Sequence, residues 1–129
     1  MMPTLLFLSA CAVSGLGFLG HAFGSGKLFV RPLLDAPTLS PQVKWLAYCS
    51  WHAVSVLLLG FTIAFGYVAT YRESLEIAVF ATAMSAAFAL VVVSVAIRHD
   101  SVMFRLPALY LFSVIALLGL AGVAASLDG

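Results

Sequence analysis

Polar and apolar positions along the 129-residue chain fall into long blocks. Residues 1–26, 45–71, 77–97 and 106–127 hold no Asp, Glu, Lys or Arg, which makes runs of 26, 27, 21 and 22 residues. A helix needs about 20 mostly apolar residues to cross the hydrocarbon core of a bilayer. Each run therefore predicts one spanning helix, over about 4–23, 41–70, 75–97 and 106–126. A membrane β-barrel would instead alternate apolar and polar residues over about ten positions. In lipid every backbone N–H and C=O must be satisfied within the protein, and a helix does this locally. The predicted fold class is all-α, an integral membrane four-helix bundle forming a single domain.

Punctuation between the runs refines the picture. Gly24-Ser25-Gly26 marks the end of the first helix. Lys27 and Arg31 then flank apolar positions in 27–35, which predicts a short interfacial segment with its cationic stems snorkelling toward water. Pro37 ends it. Ser40-Pro41 reads as an N-cap followed by proline at the first helical position. Trp45, Tyr48 and Trp51 near that start, and Tyr67 and Tyr71 near the far end, form aromatic belts. Ser74 is placed to cap the third helix, with Glu76 in its first turn. Pro107 suits the first turn of the fourth. Short connections make the last three helices antiparallel neighbours.

Composition agrees with the blocks. The chain is 64% hydrophobic and 9% charged, with mean hydropathy +1.15, against about 25% charged in an average soluble domain. A soluble domain, a disordered chain and a nucleic-acid-binding module are excluded, and a net charge of +1 offers no footprint for polyphosphate. Lys27, Arg31, Lys44, Arg98 and Arg105 fall on one side of the predicted bundle and Arg72 on the other. The positive-inside rule then makes loops 27–44 and 98–105 cytoplasmic and both termini periplasmic, N-out and C-out, in a bacterial inner (plasma) membrane. Met1-Met2-Pro3-Thr4 has no positive n-region, so the first run is expected to remain as a span and not be cleaved. Leu8-Ser9-Ala10-Cys11 has the outline of a lipidation box without the basic flank. Cys11 and Cys49 lie at different depths and are expected to be small buried residues, not a disulfide.

Close helix approach in lipid uses small side chains. Ala10, Ser14, Gly17 and His21 share a face of the first helix. Ala78, Ala81, Ser85 and Ala89 share one on the third, and Ala116, Gly119, Gly122 and Ser126 one on the fourth. These are the expected seams.

Candidate chemistry rests on three histidines, His21, His52 and His99, all on the loop side. Ionisable groups within a membrane are costly and turn to the bundle interior or a cavity. His52 has Tyr48 and Ser55 one turn to either side. In the plainest reading it bonds Ser55, Ser14 across the seam, or a backbone carbonyl. The sharper readings are a haem or quinone site using His21 and His52, a metal site drawing on His21, His52 and His99 with Asp35 or Asp100, and a proton-linked role. Lys27, Arg31 and Trp45 are expected to anchor the chain at the lipid surface. Arg98, Asp100 and Arg105 are placed to pair with loop 27–44. No phosphate loop, H-E-x-x-H or G-x-S-x-G motif occurs, and no carboxylate lies within the four uncharged runs.

His21-x-x-Gly24 with Arg31-Pro32-Leu33-Leu34, Trp51-His52-x-x-Ser55-Val56 and Arg105-Leu106-Pro107 resembles a group of small uncharacterised bacterial inner-membrane proteins of four helices. The resemblance covers most of the chain. It implies an inner-membrane location and draws His21, Arg31, Trp51, His52 and Ser55 into one candidate cofactor-binding site. Members carry an acidic residue after the glycine where this chain has Ser25. Three functions follow as expectations. The first is a non-enzymatic accessory or assembly subunit of a larger inner-membrane complex, with lipid and other subunits or further copies of itself as partners. The second is a histidine-based redox anchor holding haem, quinone or metal. The third, weakened by the lack of intramembrane carboxylates, is a small transporter or channel.

Overall fold

The computed structural model describes residues 1–71, 74–99 and 101–128. Its elements are α1 (Met2–Leu19), a π-helical turn (Gly20–Gly24), a 3-10 turn (Ser25–Lys27), α2 (Val30–Asp35), α3 (Pro41–Thr70), α4 (Leu75–Arg98), a second 3-10 turn (Ser101–Arg105) and α5 (Pro107–Leu127). Among the described residues four stretches are long and apolar enough to cross a membrane: Met2–Asp35, Pro41–Thr70, Leu75–Arg98 and Pro107–Leu127. The protein is an all-helical, multi-pass bundle.

Contacts between the helices set their direction. Phe7 near the start of α1 stacks on Phe65 near the end of α3, with ring centroids 6.3 Å apart. It also fills the space over Gly122 near the end of α5, where a Cβ would meet Phe7 Cε1 at 2.5 Å. Lower down, a Cβ on Gly17 would meet Leu111 Cδ2 at 2.7 Å. Both termini therefore lie at one end of the bundle, and segments 20–40 and 101–106 lie at the other. We call these the terminal end and the loop end.

The seams are the expected ones with adjustments. Ala10 and Ser14 are buried on α1, and Ala78, Ala81 and Ser85 on α4. Gly119 and Gly122 are buried on α5, but Phe112 and Ile115 join them there in place of Ala116, which is only half-buried. The larger side chains fit because the glycines let Phe7 and Phe65 approach α5. Ser85 Oγ donates to the Phe112 carbonyl at 2.8 Å, a buried bond between α4 and α5. Phe112 also stacks on Phe88, with centroids 5.2 Å apart, and meets Phe61 edge-on. Ser14 Oγ donates to the Ala10 carbonyl of its own helix, so it is not a cross-seam partner. Most of the packed core lies in the terminal half, around Phe7, Phe65, Val68 and Ala78.

Helix ends follow their chemistry in part. Ser40 Oγ accepts from the Val43 N–H and Pro41 opens α3. Ser74 precedes α4 without a side-chain cap bond. The glycines after α1 do not break the helix, and no glycine has positive φ among the described residues. The coil widens instead. The Ser25 N–H and Ser25 Oγ both bond the Gly20 carbonyl, which satisfies it in π register. Cys11 is half-buried against Gly66, whereas Cys49 is exposed, contrary to expectation, because it lies on the outer face of α3 with Leu46 and Ala53. Both thiols are free.

Candidate functional site

At the loop end three elements meet: the π-helical turn, α2 and the first half of α3. Trp51, Ser55 and Leu58 recur at spacings of four and three, so they share the face of α3 that meets α1. Ser55 is 5% exposed and turned inward. His21 Nδ1 lies 3.0 Å from Ser55 Oγ, with the donor set by the imidazole tautomer. The His21 ring also stacks on Trp51, with centroids 4.0 Å apart and planes at 18°. Phe29 also meets the indole, tilted at 31° with centroids 5.8 Å apart. The hydroxyl and the indole together hold His21 in one orientation.

His52 differs from the sequence expectation. Its neighbour Ser55 bonds His21 instead, because one residue's rotation around α3 carries His52 away from α1. His52 is exposed at the protein surface and meets the Tyr48 ring edge-on at 4.5 Å. Tyr48 in turn meets Trp45 at 5.9 Å, which puts an aromatic ladder along the outer side of α3.

Between this ladder and α2 opens a cavity of about 310 Å³. Its polar lining comes from Lys27, Arg31, Asp35, Tyr48, Trp51 and His52, and Ala22, Val30 and Leu34 supply apolar wall. Arg31 Nε lies 3.8 Å from Asp35 Oδ2 across one turn of α2, both side chains well exposed. Such a pair is worth about 0–1 kcal/mol and holds the guanidinium loosely. No hydrogen bond joins Tyr48, Trp51 or His52 to another described residue, and Lys27 has no ion-pair partner among them.

The five residues His21, Arg31, Trp51, His52 and Ser55 thus occupy one region. His21 and Ser55 form its inner layer, while Arg31, Trp51 and His52 line the cavity. Tyr48 and Asp35 belong to the lining as well. Tyr48 could have been added from its i, i+4 relation to His52. Trp45, Lys27 and Arg31 are exposed at this end. Among the described residues no three His, Cys, Asp or Glu side chains converge on a common point, so a metal site built on His21, His52 and His99 is not assembled. His99 follows α4 and is exposed. Asp100, Arg72 and Glu73 lie outside the described residues. Neither Arg98 nor Arg105 pairs with loop 27–44 among them. Arg31 pairs within its own helix instead.

Depth follows from the aromatic belts. With Tyr67 and Tyr71 at one headgroup boundary, His52 lies about 28 Å along α3 from Tyr71, at about 1.5 Å per residue. That distance is close to the roughly 30 Å of hydrocarbon, so a bilayer bounded at Tyr67 and Tyr71 would put the cavity near its opposite boundary. No family model, curated protein or solved structure matches the chain.

Proposed function

We propose that this chain is a non-enzymatic integral membrane protein that serves as an accessory or assembly subunit of a larger complex in a bacterial inner membrane. The observation that carries this reading is the division of its surface. All four spanning helices expose large apolar side chains laterally, among them Leu16, Val56, Phe80 and Leu117, while Lys27, Arg31, Asp35, Lys44, Glu76, Arg98, Arg105 and Asp128 sit at or beyond the helix ends. Lateral surface of that kind is covered by lipid or by another protein's apolar face. In this reading the loop end, with Lys27, Arg31, Lys44, Arg98 and Arg105, faces the cytoplasm and both termini face the periplasm. The test is native electrophoresis of membranes solubilised in mild detergent, with and without the chain. The chain is expected to migrate with a larger assembly, and its deletion to lower the amount of that assembly. Migration alone, with every complex unchanged on deletion, overturns the reading.

A redox anchor is the second reading, favoured by the ring nitrogens of His52, which bond no described residue, beside Trp51 and the cavity. Quinone suits the site better than haem. Trp51 covers one face of His21, Ser55 occupies its Nδ1, and about 310 Å³ is near the lower end of ligand pockets. A visible or quinone absorbance that co-purifies with the chain and is lost in His52→Ala supports this reading over the first. A colourless, quinone-free preparation removes it.

A further inference from the structure

The cavity at the loop end has an asymmetric chemical lining. Lys27 and Arg31 bring positive charge one turn apart, and Asp35, the single carboxylate in the lining, already leans on Arg31. Tyr48 O–H, Trp51 Nε1–H and a His52 ring N–H are donors that no described residue accepts. Five donor-bearing side chains thus line a space whose single carboxylate is already paired with one of them. Groups of this kind left together at a lipid boundary call for an oxyanion, whose several lone pairs satisfy them at once. The opposite wall, from Ala22, Val30 and Leu34, is apolar and suits the first carbons behind such a head. Exposed Leu28 and Phe29 extend that apolar surface outward.

We propose that this cavity binds the phosphate oxyanion of a membrane amphiphile whose headgroup carries net negative charge. Lys27 and Arg31 hold the charge. Tyr48, Trp51 and His52 supply directional hydrogen bonds, and the His21–Ser55 pair fixes the indole that carries one of them. A volume of about 310 Å³ accommodates a headgroup and leaves the acyl chains outside, along the bundle. A zwitterionic head fits less well, because its own ammonium would face Lys27 and Arg31. The inference needs the loop end to lie at a leaflet but does not need the accessory role, so either can fail without the other.

The test uses the full chain, stripped of lipid in mild detergent, with Trp45→Phe so that Trp51 is the only indole reporting. Its emission is followed on addition of short-chain phosphatidylglycerol, phosphatidylcholine, inorganic phosphate or a short-chain quinone. Phosphatidylglycerol is expected to bind saturably and at least about tenfold more tightly than phosphatidylcholine. Lys27→Gln and Arg31→Gln, both at exposed positions, are each expected to weaken it about tenfold while leaving the helical circular dichroism intact. Tyr48→Phe should weaken it less. Competition by inorganic phosphate as effective as the lipid itself overturns the assignment to an amphiphile, whereas weak competition supports a lipid-borne phosphate. Equal affinity for the two phospholipids overturns the proposal. So does tight quinone binding that the two charge variants leave unchanged.

Discussion

His21 shows how far a single side chain can be placed from a sequence. Its membership of the seam face with Ala10, Ser14 and Gly17 was legible from helical spacing. Its partner was not, because spacing orders residues within a helix and says nothing about which residue of another helix sits opposite. The i, i+3 relation pointed Ser55 to His52, yet the hydroxyl bonds His21 at 3.0 Å. The spacing of Trp51, Ser55 and Leu58 held the missing clue, since it turns Ser55 toward α1. Loss of this bond has a defined size. Ser55→Ala is expected to lower the thermal midpoint in detergent by the equivalent of about 1 kcal/mol, near the upper part of the range for membrane hydrogen bonds. Ser50→Ala is the matched control. Ser50 is exposed and bonds only the Leu46 carbonyl of its own helix, so its change should stay within about 0.5 kcal/mol.

At the scale of the helix, the best-marked boundaries in the sequence were those with a chemical reason. Ser40 with Pro41 and the single Pro107 open α3 and α5 where they stand. Gly24 and Gly26 misled, because glycine permits a break without requiring one. Here the carbonyl of Gly20 found donors at Ser25, and the coil continued in a wider form. The α5 seam was legible in Gly119 and Gly122 but not in Ile115, because a large residue fits a seam only where its neighbours across the gap are small. Glycines in this bundle accordingly divide into two groups. Gly122→Ala would drive a methyl into the buried Phe7 ring, and the expected cost is about 1–3 kcal/mol of stability. Gly60 has open space where a Cβ would go, so Gly60→Ala should be neutral or stabilising by up to about 1 kcal/mol. Parallel thermal melts of the two variants in one detergent check both. Equal shifts would mean that Phe7 does not pack over Gly122.

For the whole molecule, four crossings were plain from the blocks of uncharged residues, and an even number brings the termini together. Which helices lean on one another was less plain. Short connections made α3, α4 and α5 antiparallel neighbours in turn. In the structure α1 packs extensively on both α3 and α5, while α3 and α4 touch more sparsely. A short connection does not decide packing by itself, since α4 and α5 pack closely while α3 and α4 do not, and the small residues of α1 draw α3 and α5 in along its length. The candidate site was legible as a set of residues on one side, but its cavity was not, because it depends on α2 folding back against α3. Topology gives the matching prediction. Periplasm-active reporters placed after residue 128 and within the connection between α3 and α4 should both be active, and one placed within 36–40 should be silent. The reverse pattern would invert the proposed orientation while leaving the bundle itself intact.

The π-helical turn has a consequence for length variation in this chain. An α-helix rotates about 100° per residue. The wide coil at Gly20–Gly24 turns less per residue, so its five residues rotate the chain about as far as four residues of α-helix would. Deleting one residue there would let the coil tighten to ordinary α pitch at little cost to Phe7, Ala10 and Ser14, and would leave Lys27 and Arg31 close to their present rotation. Deleting one residue a turn earlier, between Ser14 and Leu19, would instead swing Lys27 and Arg31 by about 100° around the axis, out of register with Trp51 and His52. The same loss of a single codon is thus absorbed in the wide coil and disruptive just before it.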